Sequence, residues 1–143
     1  MSIARRRLLA IAPVLPALGV LAWAALAPVQ AASREAQFDI PKGTWARRMA
    51  GKDVEILPQR IRLTLGVRDV LLLRNRDDVP QQFGPTILMP GQSFRLPFAV
   101  ASTYTFACSA HASGQMTIVV AAQPLTPWAR LAWRVSGLWE ALA

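Results

Sequence analysis

A second cysteine is missing from this chain of 143 residues, and so is a second histidine. One cysteine forms no internal disulfide, and one Cys with one His builds a four-ligand zinc site only with help from carboxylates. Acidic residues are scarce: 8 Asp and Glu stand against 16 Lys and Arg, a formal net charge of +8. The chain has no paired carboxylates at a spacing for acid–base work and no glycine-rich phosphate loop. It also has no internal repeat and no low-complexity segment. The basic residues are scattered without interleaved stacking aromatics, so the charge suits acidic protein surfaces or anionic lipid and does not predict nucleic-acid binding.

Charge is also missing from one long stretch. Leu8 to Val29 carries none, and Arg5, Arg6 and Arg7 precede it. Residues 1–31 therefore read as a signal peptide or a membrane anchor, with Val29-Gln30-Ala31 offering small residues where a peptidase cuts. The run is of a length that spans a bilayer, and Pro13, Pro16 and Pro28 interrupt it; cleavage and retention both fit. Either way the rest of the chain is exported, in an orientation set by the arginines. In such a compartment the unpaired thiol of Cys108 calls for an explanation, as a ligand, a reactive group, an intermolecular partner or a buried apolar residue.

Helical periodicity is absent between Phe38 and Val120. Ile61, Leu63 and Leu65 alternate with Arg60, Arg62 and Thr64, which predicts a half-exposed strand. Gly66 to Asp69 reads as a turn, and Val70 to Leu73 as a strand buried on both faces. Beyond the Pro90-Gly91 turn, Phe94, Leu96 and Phe98 alternate with polar residues. Tyr104, Phe106 and Cys108 share one strand face, as do Ile118 and Val120. Short strands so spaced predict an all-β antiparallel sandwich or barrel over residues 32–121, with Pro41 to Asp53 a loop or short helix beside it. Residues 122–143 form a linker and an amphipathic helix, opened by Thr126-Pro127. Its apolar stripe, Trp128, Leu131, Ala132, Val135, Leu138, Trp139 and Leu142, either packs on the sandwich or seats an interfacial helix.

The chemistry concentrates in Cys108-Ser109-Ala110-His111-Ala112-Ser113-Gly114-Gln115-Met116. Thiolate, imidazole and thioether on one loop are the soft donors that copper prefers. Any one of them alone is ordinary packing; the three together at the junction of two strands are not.

This loop, Cys-x2-His-x4-Met, resembles the ligand loop of the cupredoxins, the blue copper family of plastocyanin and pseudoazurin. Asn75 with Pro80, Pro90-Gly91 and Tyr104-x-Phe106-x-Cys108 extend the resemblance from about Ile56 to Val120. It implies a cupredoxin-like Greek-key β-sandwich binding one copper ion at one end. Carried over by position, Cys108 matches the equatorial thiolate, His111 the loop histidine and Met116 the axial thioether. The family's other histidine follows a proline in an Asn-x4-Pro-His segment, and here that place holds Gln81. An amide is a poorer donor than imidazole, and Cu(II) loses more by the exchange than Cu(I). Met49 and Met89 are further sulfur candidates.

The resemblance therefore implies a non-enzymatic, periplasmic protein, soluble or attached to the inner membrane through its N-terminal segment or C-terminal helix. Its function would be electron transfer or copper relay with a protein partner, through a Cu(I)-favouring site of Cys108, His111, Met116 and Gln81. The alternative is a metal-free cupredoxin-fold subunit of a membrane complex. A Cys108 nucleophile with His111 as base lacks a third group to orient the imidazole and a resolving cysteine.

Overall fold

The computed structural model of the chain describes residues 14–52, 57–111 and 113–142. The arginines expected to open the targeting segment lie outside these residues. Two compact units make up the chain: residues 31–123, and residues 1–30 together with 124–143.

The larger unit is built of strands. β1 (Glu35–Ile40) pairs in parallel with β3 (Val70–Asn75), which pairs antiparallel with β6 (Ser93–Pro97). β2 (Arg60–Thr64) runs parallel to β8 (Gln115–Ala121), and β8 antiparallel to β7 (Ser102–Ala107). β4 (Gln81–Phe83) and β5 (Thr86–Leu88) form a small hairpin, and α2 (Thr44–Met49) is a short helix between β1 and β2. Ile61, Leu63, Ile118 and Val120 from one sheet and Leu71 and Leu73 from the other belong to one buried cluster. Each such side chain contributes roughly 1.5–3 kcal/mol on burial. The all-β sandwich expected from the period-two pattern is present, but it is not purely antiparallel: β1 with β3 and β2 with β8 run parallel, because each pair is joined by a long connection and not by a tight hairpin. β3, expected to be buried on both faces, has a half-buried second face, with Leu72 and Arg74 only partly covered.

An ion pair joins the residue that precedes β1 to the residue that precedes β3. Arg34 donates to both carboxylate oxygens of Asp69, at 2.9 and 2.6 Å, and the Gly66 N–H donates to the same carboxylate at 2.9 Å. The Arg34 bond holds the Asp69 carboxyl below its ordinary range, against the opposing pull of burial. Because the folded form releases this proton more readily than the unfolded chain, its contribution is present above about pH 4 and lost as pH falls through the folded value. The Arg34 side chain is 66% exposed, so the contribution is modest. Urea midpoints measured from pH 6 down to pH 3 should therefore fall less steeply for Asp69→Asn than for the parent; parallel slopes would contradict the linkage.

The smaller unit contains α1 (Val14–Leu26) and α3 (Pro127–Leu142). Pro127 sits in the first turn of α3, and the Thr126 hydroxyl accepts the Ala129 N–H at 3.2 Å, the cap expected of that dipeptide. No helix among the described residues is long and apolar enough to cross a membrane.

Candidate metal centre

β7 and β8 pair through Phe106 with Met116 and Ala107 with Gln115, and then the ladder opens. Cys108 leaves β7 and bridges to Phe83 of β4 instead. Two flanking bonds hold that crossing, Gly84 N–H to Ala107 O at 2.7 Å and Ser109 N–H to Gln82 O at 3.0 Å. Gly84 has φ +54°, and a Cβ there would meet the Phe106 ring at 3.2 Å, so only glycine lets β4 approach this closely. The loop itself is closed by Cys108 N–H to Gly114 O at 2.9 Å, with Gly114 at φ +71°. Inside it His111 N–H donates to Cys108 O at 3.3 Å, and Gly114 N–H to His111 O at 3.1 Å.

Strand alternation turns Cys108 to the side of Tyr104 and Phe106, and Met116 to the side of Ile118 and Val120. Cys108, His111 and Met116 are all buried, although each came from a loop or strand end that sequence alone leaves free to face solvent. Burial pushes the Cys108 thiol up. The Ala110 and His111 backbone N–H groups and the Arg48 charge partly offset that. The thiol is thus protonated until a cation displaces the proton.

His111 carries the most telling detail. Its Nε2 lies 3.0 Å from Leu57 O and 3.3 Å from Pro58 O. Carbonyl oxygens only accept, so Nε2 carries a proton, and in a neutral imidazole so held Nδ1 is the acceptor. Nδ1 is buried and has no hydrogen-bond partner among the described residues. Orphaned buried nitrogens are rare because each costs about 1–3 kcal/mol. A ring fixed from behind by carbonyls, with its other nitrogen bare, is how proteins orient a metal-binding histidine.

Gln81 is fully enclosed and its amide is engaged at both ends. The Ser109 hydroxyl donates to Gln81 Oε1 at 2.7 Å, and Gln81 Nε2 donates to Asp77 Oδ2 at 3.0 Å. Ser109 Oγ also accepts the Gln82 N–H at 2.8 Å. Asp77, itself buried, accepts the Gly43 and Trp45 N–H groups at the start of α2 and the Asp78 N–H. Burial alone would raise its carboxyl, but these bonds and that of Gln81 prevail and hold it below the ordinary range. Asn75 completes the set: its side chain donates to Val79 O and Leu88 O and accepts the Asp77 N–H. Sequence reasoning singled out Asn75 but missed Asp77, Ser109 and the two carbonyls behind His111. Arg76-Asp77-Asp78 looks like a solvated turn, and only the fold separates buried Asp77 from exposed Asp78.

Met49 and Met89 are exposed and stand outside this buried set. Among the described residues no three His, Cys, Asp or Glu side chains gather as a metal site. Any ion here would depend on the soft trio of thiolate, imidazole and thioether, and those donors suit copper.

No family model matches the chain, and no curated protein is similar to it in sequence. Solved structures align with part of the chain. A purple cupredoxin from Nitrosopumilus maritimus aligns over 60% of this chain and 99% of its own, at 21% identity and a TM-score of 0.45. A reduced tryptophan-to-tyrosine mutant of amicyanin aligns over 66% of this chain and 91% of its own, at 17% identity and a TM-score of 0.43. An oxidised proline-to-alanine mutant of amicyanin aligns over 63% and 85%, at 18% identity and a TM-score of 0.42. The larger unit is itself a β-sandwich of two three-stranded sheets with a small hairpin, β4–β5, beside them.

Proposed function

We propose that the larger unit binds one copper ion through Cys108, His111 and Met116, favours Cu(I), and passes an electron or the ion itself to a protein partner outside the cytoplasmic membrane. The observation that carries this reading is the buried Nδ1 of His111, without a hydrogen-bond partner among the described residues, on the same short loop as the buried Cys108. Bound copper would supply one-electron chemistry or a transferable cation. The chain's own part is to hold the three donors and exclude water. Leu57 O and Pro58 O fix the imidazole, the Gly114 turn closes the loop, and Gln81 braces Ser109 against Asp77. Gln81 in this reading is a lid over the loop and replaces an imidazole that would stabilise Cu(II).

Loading the purified chain with Cu(I) under reducing conditions, then X-ray absorption at the copper edge, tests this. One equivalent with two sulfurs and one nitrogen in the first shell is expected. Copper content near zero after loading would select the metal-free structural subunit instead.

Gln81→His should restore a second imidazole and raise Cu(II) affinity by at least about a hundredfold, roughly 2.7 kcal/mol. Competition against a chelator of known affinity measures it, and an intense thiolate-to-Cu(II) absorption should appear. Unchanged affinity would mean that the side chain at this position does not reach the ion.

A further inference from the structure

α3 packs on α1 with the wrong face for a helix pair in water. Most of the described apolar stripe points away: Trp128 is 77% exposed and Trp139 71%, with Val135 and Leu138 exposed beside them, while Leu131 is half-buried. The face turned to α1 is the one carrying Arg130 and Arg134. Arg130 donates to Leu26 O at 2.8 Å, and Arg134 to Ala24 O, to Ala27 O at 3.0 Å and to Pro28 O at 3.2 Å. The Arg134 guanidinium also lies 5.4 Å from the centroid of the Trp23 ring.

These carbonyls end α1, where a helix leaves its last C=O groups without intrahelical donors and its dipole is negative. α1 has no basic residue of its own in the last turn. Two arginines one turn apart on α3 supply what it lacks.

We propose that α1 is retained in the working protein and that Arg130 and Arg134 clamp it to α3 as a hairpin seated in a lipid surface. The proposal deepens the membrane attachment expected from the sequence and is independent of copper. Charge turned inward onto backbone carbonyls, with apolar side chains outward, is how arginine is accommodated in lipid. Exposed Leu18, Val20, Leu21, Trp23 and Leu26 lie all round α1 and not on one stripe. A protein partner covers one face of a helix; a helix apolar on every side calls for a surrounding medium. Tryptophans on both helices suit the headgroup boundary. Cleavage after Ala31 would remove α1, leaving both arginines without these carbonyls.

The full chain, expressed with its export route intact, is assayed by intact mass and then in vesicles of phosphatidylethanolamine and phosphatidylglycerol. Residues 1–31 are expected in the mass, and the protein should stay bound in 1 M salt while dissolving in detergent. Bromine-labelled acyl chains should quench the tryptophan emission at least about twofold more than aqueous iodide does. Trp128→Phe/Trp139→Phe should lose a large part of the bromine quenching. Arg130→Ala/Arg134→Ala should keep α1 and the sandwich but lose bromine quenching of the α3 tryptophans. A mass lacking the first 31 residues, release by salt, or iodide access without bromine quenching would overturn the proposal. The last result would assign the face to a protein partner. Bromine quenching unchanged in the double arginine variant would overturn the clamp.

Discussion

Cys108→Ser should lower Cu(I) affinity by at least about a thousandfold, roughly 4.1 kcal/mol, the largest effect expected of any substitution in this chain. A serine hydroxyl is a hard donor with no tendency to ionise at neutral pH, whereas the thiolate is both the charged and the soft partner of the trio. The burial that pushes the Cys108 thiol up also means that copper must expel a proton from it, so apparent affinity should rise with pH. Met116→Leu, close in volume, should change affinity far less, by about tenfold or under, because a thioether donates weakly and the cavity stays filled. Chelator competition at fixed pH reads both. A serine variant that binds Cu(I) as tightly as the parent would remove Cys108 from the site and the proposed function with it. The substitution is nearly isosteric and sits in a loop held by backbone bonds, so the fold should survive to be tested.

The strands were legible in the sequence because each buries one face, and alternation is the direct imprint of that. Ile61 and Leu63, then Phe94 and Leu96, then Met116, Ile118 and Val120 follow the expected parity. The loop trio was legible because three rare side chains fell at one junction. The electrostatics of the site were not. Asp77 and Asp78 are the same residue type on the same turn, yet one is enclosed by four donors and the other faces solvent. What separates them is the approach of α2, more than 30 residues earlier, and no local pattern encodes that contact. The carbonyls behind His111 lie 54 and 53 residues away in sequence, and any residue type would provide them. The stripe on α3 was found, but its direction was not. Periodicity shows that a helix has two faces, and Arg130 and Arg134 decide which one α1 takes.

Asp77→Ala should destabilise the sandwich by about 3–4 kcal/mol, since it strips acceptors from buried donors whose desolvation is no longer compensated. Oδ1 accepts from Gly43 and Asp78, and Oδ2 from Trp45 and Gln81. Both oxygens are therefore acceptors only, and Asp77→Asn must turn an NH2 group toward one donor pair. The asparagine variant keeps the volume and removes the charge, and should still cost about 2–3 kcal/mol. That ordering separates an acceptor role from packing, in which asparagine would be nearly neutral. Urea unfolding of the sandwich should show the midpoint lowered by about 2 M in the alanine variant with an unchanged slope. A shift equivalent to less than about 0.5 kcal/mol in both variants would show that the carboxylate does not organise this end. The consequence for the metal loop follows from the chain of bonds. Without Asp77 the Gln81 amide is free to turn, Ser109 loses its fixed acceptor, and the residue next to Cys108 keeps only its backbone bonds and the Gln82 N–H on its hydroxyl. At a urea concentration where the Asp77→Ala protein remains folded, Cu(I) affinity should fall about tenfold or more, in line with the loss of an outer-shell partner.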